Sequence, residues 1–323
     1  MMLAVRSVRS SCMRSVRAAR LFSSDAAHGV TTVGVVGLGL MGHGIAQTAA
    51  EKGFKVVAVE QEQKFLDGGM KRITGSVEKL ASKAVKKGKA TEAEAADATA
   101  ATLGRITPGL GVQALAECDV VIEAVIEDLK LKETLYGELG QLLKPDCIIA
   151  SNTSSLSIGT MAGYCGRHSH MIGLHFFNPV QLMQLVEVVR TEQTDPAVFQ
   201  RAFAFSKALG KTPIDCVDTP GFVVNRLLVP FLIEAICLVE RGVASAPDVD
   251  IAMKLGAGHP MGPIHLADYI GLDTILSIVQ GWAETHPQDG FVVPKSLEAL
   301  VAAGKLGRKS GEGFYRWDGD KLA

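Results

Sequence analysis

The chain has 323 residues, 47% of them hydrophobic and 21% charged, with 34 Gly, 12 Pro and a formal charge of -1. That composition excludes a collagen, a disordered acidic tail and a disulfide-dense miniprotein, and the length predicts about two domains. Charge is uneven: residues 1–29 hold five Arg against Asp25, a local +4 that leaves -5 for residues 30–323, and a mildly acidic body argues against nucleic acid as the main partner.

The leader, residues 1–29, is rich in Arg and Ser, and Arg6, Arg9, Arg14, Arg17 and Arg20 break up its apolar residues. This is the pattern of a mitochondrial transit peptide, whereas a secretory signal needs an uninterrupted apolar core of ~7–15 residues. Arg20-Leu21-Phe22-Ser23 also resembles a matrix-protease site, with cleavage after Phe22, and predicts the mitochondrial matrix. The alternative is a basic arm that stays attached.

A β-branched run beginning at Thr31 ends in Gly37-Leu38-Gly39-Leu40-Met41-Gly42, and a helical pattern follows toward Gly53. The glycines have separate tasks: Gly37 permits the tight turn, Gly39 lets a pyrophosphate approach the backbone, and Gly42 lets the helix lie close on the strand. A second strand, Lys55–Val59, ends in Glu60, 18 residues after Gly42. A carboxylate there accepts bonds from the adenosine ribose and repels the extra phosphate of NADP, so NAD is the expected cofactor.

Leu66, Met70, Ile73, Val77, Leu80 and Ala84 recur at helical spacing and predict one apolar face of a long helix. Between Lys64 and Lys89 the same segment carries eight basic residues against Asp67 and Glu78, a local +6. It reads as a solvated face or as the contact for an anionic second ligand. Asp119–Val125 and Cys147–Ser151 read as buried strands around a helix from about Leu129 to Leu143, which is doubly wound α/β organisation. Ligands of such sheets sit beyond the carboxyl ends of the strands, where Glu127, Lys132 and Asn152–Ser155 fall.

The six cysteines show no CxxC and no His at zinc spacing, so they read as reduced thiols and no metal is expected. Past Pro220-Gly221 the strand pattern stops, and Leu227–Val239, Val249–Leu255 and Leu272–Trp282 read as helices of a second domain. Leu227–Val239 is too short to span a membrane, which takes about 20 apolar residues, and includes Pro230 and Glu234. The expected organisation is a leader at 1–29, a Rossmann-like domain at 30–217 with the basic helical segment inserted, and an all-α domain at 218–323.

Ser151-Asn152-Thr153-Ser154-Ser155, His175-Phe176-Phe177-Asn178-Pro179, Leu185-Val186-Glu187-Val188-Val189, Asp218–Arg226, Pro260–Pro263 and Lys309–Tyr315 occur in an order that resembles the L-3-hydroxyacyl-CoA dehydrogenase family, mitochondrial short- to medium-chain type. The resemblance covers about residues 31–316. It implies NAD-dependent, reversible oxidation of L-3-hydroxyacyl-CoA to 3-ketoacyl-CoA in fatty-acid β-oxidation. His175 would be the general acid/base and Glu187 its partner, a pairing whose logic is that a carboxylate on one ring nitrogen fixes the tautomer and stabilises the imidazolium. By the same resemblance Ser154 and Asn225 bond the reacting oxygen, Asn178 meets the nicotinamide end, and Glu127, Lys132 and Lys309 touch NAD. Ser76 and Lys83 would contact coenzyme A, and a homodimer would form through the helical domain. Two positions depart from the family pattern: Glu60 stands where Asp is more frequent, and His265 where an acid is. Two other readings are a dehydrogenase of free β-hydroxy acids, which would leave the basic helix idle, and a crystallin-like protein that binds NAD without turnover.

Overall fold

Short β-branched runs and the helices between them build the sheet that carries the site. The computed structural model describes residues 28–323; the leader reading at 1–29 and Cys12 lie outside them, apart from His28 and Gly29. Strands β1 (Thr32–Val36), β2 (Lys55–Glu60), β3 (Ile106–Leu110), β4 (Val120–Glu123), β5 (Ile148–Ser151) and β6 (Met171–Phe176) run parallel. β7 (Leu185–Arg190) pairs antiparallel with β6, and β8 (Thr212–Val217) pairs parallel with β7. The order across the sheet is β3-β2-β1-β4-β5-β6-β7-β8. β4, β5 and β6 are buried at every position, as strands covered by helices on both faces must be.

The two faces hold separate cores. One packs Ile45, Ala46, Ala49 and Ala50 of α1 (Gly42–Glu51) on Val33, Val35, Val56 and Ile122. The other packs Leu135 and Leu139 of α4 (Leu129–Leu142) and Ile158 and Met161 of α5 (Ile158–Cys165) on Val121 and Ile149. The small residues of α1 let it lie close to the sheet, which brings its N-terminus to the end of β1.

α2 (Gln63–Lys86) has 24 residues and buries Leu66, Ile73 and Val77 of the expected apolar face together with Gly69; Met70, Leu80 and Ala84 are half-buried, and its lysines stay exposed. Its partner α3 (Glu92–Leu103) was not legible, because its Ala-rich sequence has almost no apolar face; a reciprocal Thr91–Glu94 capping box starts it instead. α6 (Pro196–Ala208), capped by Asp195 with Pro at its first position, joins β7 to β8.

Beyond β8 come α7 (Val224–Glu240), α8 (Ala246–Gly256), α9 (Pro263–Ile270), α10 (Leu272–Thr285) and α11 (Lys295–Ala302). Leu232, Ile236, Ile264, Ile275, Val279 and Leu297 form their common core. Two buried carboxylates anchor the connections: Asp250 accepts the Ile264 and His265 amides, and Asp268 accepts those of Phe314 and Tyr315 together with the Trp317 indole N–H. A two-stranded ribbon, β9 (Trp317–Asp318) with β10 (Lys321–Leu322), adds the only strands among the described residues of this otherwise helical part. No helix among the described residues is long and apolar enough to cross a membrane. Cys118, Cys147 and Cys216 are free and buried, and burial pushes their thiols up to about 12.

Candidate active site

The turn after β1 explains its glycines atom by atom. Gly37 has φ +88°, and a Cβ there would stand 2.9 Å from the Ala124 carbonyl oxygen; a Cβ on Gly42 would stand 1.7 Å from the Gly37 carbonyl oxygen. Neither position admits a side chain. Gly39 differs, since a Cβ there would meet nothing within 4 Å, so bare backbone faces open space at the N-terminus of α1. That is a cradle into which a pyrophosphate fits, with the helix dipole favouring the anion. Glu60 Oε1 accepts the Leu38 amide at 2.6 Å, which holds the carboxylate against the turn. The Leu38 side chain itself packs on Gly69, so α2 rests directly on the turn.

A cleft of about 420 Å³ opens beside this turn, within the range of small-molecule sites. Gly39, Leu40 and Met41 form one wall; Glu127, Asn152 and Ser154 stand beyond the ends of β4 and β5; His175, Asn178 and Asn225 close the far side. The fold thus brings Gly39 at the first turn and Asn225 at the start of α7 into one cleft. Gly37, Leu38, Gly42 and Glu60 support the turn behind that wall.

His175 and Glu187 face each other in the β6–β7 register. His175 Nδ1 lies 2.6 Å from Glu187 Oε2, and Glu187 is fully buried. Glu187 Oε1 accepts the Val223 amide at 3.1 Å and the Val224 amide at 2.8 Å, at the first turn of α7. With the carboxylate ionised, Nδ1 must carry the proton, which leaves Nε2 as the ring's acceptor. Phe177 and Phe222 hold the ring between centroids 4.5 and 5.6 Å away. The result is an oriented base at the carboxyl edge of the sheet, with Asn225 one residue past the amides that grip its partner.

Glu127 Oε1 accepts the Thr153 hydroxyl at 2.8 Å and the Ser154 amide at 3.1 Å, fixing the loop that carries Ser154. Asn152 Oδ1 accepts the Phe176 amide, tying the same loop to β6. Ser76 and Lys83 lie on α2 outside the cleft; the Ser76 hydroxyl is 3.4 Å from Gln181 Nε2 and Lys83 is exposed.

Two residues expected to touch the cofactor are ion-paired within the chain. Lys132 is fully buried, with its ammonium on Glu123 and Glu127, both of which line the cleft. Lys309 pairs with Asp273 at 2.5 Å in the helical part and does not line the cleft. The Lys132 partners are near in the chain, whereas Asp273 lies 36 residues from Lys309. Sequence reasoning missed Glu123, which lines the cleft floor, and Tyr136, whose hydroxyl bonds it at 2.9 Å; burial, then Glu123, raise that phenol well above its usual range. The available signal was a lone carboxylate in the apolar run Val120-Val121-Ile122-Glu123.

Comparison with known proteins agrees with this geometry. Residues 32–219 match the family described as "3-hydroxyacyl-CoA dehydrogenase, NAD binding domain", and residues 221–317 its C-terminal domain. The chain is 46% identical over 314 residues to human "Hydroxyacyl-coenzyme A dehydrogenase, mitochondrial", covering 97% of each. It is 48% identical to a "Probable 3-hydroxybutyryl-CoA dehydrogenase" of Deinococcus radiodurans, covering 88% of this chain and 99% of that one. A crystal structure of (S)-3-hydroxybutyryl-CoA dehydrogenase from Ralstonia eutropha superposes with a TM-score of 0.84 at 40% identity, over 90% of this chain and 99% of that one. A glycine turn shaped for NAD, a buried His–Glu pair at the sheet's edge and matches that run from β1 through the helical domain lead to one conclusion: the chain belongs to the 3-hydroxyacyl-CoA dehydrogenase family.

Proposed function

We propose that this enzyme oxidises L-3-hydroxyacyl-CoA to 3-ketoacyl-CoA with NAD, reversibly, as a step of fatty-acid β-oxidation. The observation that carries the reading is the buried His175–Glu187 pair opening into the same cleft as the dinucleotide turn. Bound NAD supplies the acceptor for the hydride that leaves C3 of the substrate. His175 Nε2 takes the hydroxyl proton as the C–O double bond forms, and Glu187 stabilises the resulting imidazolium. Ser154 and Asn225 bond the reacting oxygen, where neutral donors favour the charge that develops on it during ketone reduction. Asn178 orients the nicotinamide end, and Glu60 bonds the adenosine ribose. Glu127 holds the Ser154 loop.

Ser76 and the lysines of α2, Lys83 among them, receive the phosphorylated end of coenzyme A. The working division is a Rossmann-like domain at 30–217 and a helical domain at 218–323. Leu227, Ile251 and Leu255 of α7 and α8 are 70%, 54% and 82% exposed beside an apolar groove lined by Phe231, Leu238 and Met253, which supports a homodimer through the helical domain. Relatives named mitochondrial, with the Arg-rich leader, support import into the mitochondrial matrix.

NADH absorbance followed with acetoacetyl-CoA and with free acetoacetate tests the reading. Rapid oxidation with the thioester alone is expected. Equal rates with the free acid point to a hydroxy-acid dehydrogenase, and no turnover with either removes the enzymatic reading.

A further inference from the structure

Of the segment Asp218–Arg226, the reaction as described uses one side chain, Asn225. Phe222, three residues earlier, has φ +50° and is the only residue other than glycine with a positive φ among the described residues. A side chain in this left-handed region costs free energy, and it persists only where the surrounding structure imposes it, most often at a functional site.

The next residue, Val223, is right-handed, with φ -102° and ψ -54°. A left-handed residue followed by a right-handed one turns successive N–H groups to the same side, a concavity that receives an anion. The Val223 and Val224 amides are such a pair, and both donate to Glu187 Oε1, at 3.1 and 2.8 Å. Extended backbone at Phe222 would send the N–H groups to alternate sides and leave Glu187 one donor at most.

Packing on both sides holds the turn. The Phe222 ring is 5% exposed, belongs to the core around Ile158 and Met161, and stands 5.6 Å from the His175 imidazole, centroid to centroid. The Phe222 amide donates to the Thr219 carbonyl and the Arg226 amide to that of Gly221, each at 3.0 Å. On the helical side the Arg226 guanidinium sits over the rings of Trp282 and Phe291, 5.7 and 4.9 Å from their centroids, and its Nη2 donates to Asp289 at 2.7 Å. A Cβ on Gly221 would stand 2.5 Å from Trp282 Cζ2, so α10 lies against the turn itself.

We propose that Phe222 is a positioning residue for the His175–Glu187 pair: its left-handed backbone brings both amides onto Glu187, its ring covers one side of the imidazole, and Arg226 locks the turn to the helical domain. The proposal rests on the reading of His175 as the base.

The test compares Phe222→Gly with Phe222→Ala in the full-length enzyme. Both delete the same buried ring, so lost packing lowers Tm in each. They differ in the backbone: a glycine accepts a left-handed φ, whereas an alanine relaxes out of it once the ring no longer imposes it. With acetoacetyl-CoA and NADH, kcat should fall roughly tenfold in Phe222→Gly and roughly 100-fold in Phe222→Ala, as for a misplaced reacting group, while KM and the NADH Kd stay within a few-fold. The far-downfield proton resonance of the His175 Nδ1–H, identified by its absence from His175→Ala, should persist in Phe222→Gly and be lost in Phe222→Ala. Where Phe222→Ala does not fold, Arg226→Met takes its place: several-fold lower kcat and a weakened resonance at an unchanged NADH Kd are expected.

Equal kcat in Phe222→Gly and Phe222→Ala would make Phe222 a packing residue and overturn the proposal. So would a Nδ1–H resonance that survives in Phe222→Ala, or parental kcat and resonance in Arg226→Met. So would a KM or NADH Kd weakened more than tenfold at unchanged kcat, which marks a wall of the binding cleft. His175→Ala separates the two readings: parental kcat there removes the base and the proposal with it, whereas a slow His175→Ala beside Phe222 variants of parental kcat removes the positioning role alone.

Discussion

Glu187 has two oxygens and the fold uses them differently: Oε2 faces the imidazole of His175, and Oε1 takes the Val223 and Val224 amides at the start of α7. The two amides fix the orientation of the carboxylate, and an ionised Glu187 places the imidazole proton on Nδ1. Glu187→Gln should therefore lower kcat far more than KM for substrate or cofactor, because the contact strengthens as the imidazolium forms. His175→Ala should cost at least the ~10²–10⁴-fold of general acid–base catalysis. A double-mutant cycle on kcat, with NADH binding measured separately, should find that adding Glu187→Gln to His175→Ala costs little more. Fully additive losses would show that the two act independently. Glu60, held against the Leu38 amide, leads to a second expectation. Its charge would stand against a 2′-phosphate, so kcat/KM with NAD should greatly exceed that with NADP; equal values would refute the assignment.

At the scale of elements, the dinucleotide turn and the basic helix are separable. A methyl on Gly42 would overlap the Gly37 carbonyl oxygen at 1.7 Å, and backbone cannot rotate away as a side chain can. Gly42→Ala should displace α1 from the strand and weaken NADH binding at least tenfold in a fluorescence titration, while far-UV circular dichroism stays close to the parent's. Parental affinity would mean that the turn is not the phosphate cradle. α2 presents its lysines to solvent, so whatever they bind is bound through charge. Lys83→Ala should raise KM for acetoacetyl-CoA at low ionic strength, and added salt should shrink the difference between variant and parent. An unchanged KM at low salt would remove coenzyme A from this helix.

At the scale of the whole molecule, Asp119 ties the start of the sheet together. Its carboxylate accepts the Thr31 amide and hydroxyl, the Thr32 amide and the Lys144 ammonium, joining the first residues of β1 to the entry of β4 and the loop before β5. Burial alone would raise this carboxyl; the bonds from Lys144, Thr31 and Thr32 outweigh it and hold the group far below the ordinary carboxylate range. A folded value below the unfolded one, ~3.9, stabilises the protein above that pH, and the contribution fades as pH falls toward the folded value. Asp119→Asn should thus lower Tm at pH 7, and the gap to the parent should narrow as pH drops from about 5 toward 3. A gap that does not depend on pH would show that the carboxylate's charge contributes nothing.

The local chain determined much of this enzyme. Continuous apolar, β-branched runs in the strands and a period of 3.6 in α2 and α7 are set by which side chains must leave water, so strands β1, β2, β4 and β5 and the long helices were legible without a fold. The Gly37–Gly42 spacing was legible for a similar reason: its constraints are steric and act over six residues. Tertiary structure decided what depends on partners far along the chain. Hydrophobic runs carry no direction, so nothing local says that β7 turns antiparallel to β6, yet that reversal sets Glu187 opposite His175. Charge shows even less. Lys309 reads in sequence as a cation near a ligand, and in the fold its ammonium pairs with Asp273, 36 residues away. An ammonium binds whichever anion folding brings nearest, and the desolvation that makes the bond strong exists only once the surrounding chain has closed over it.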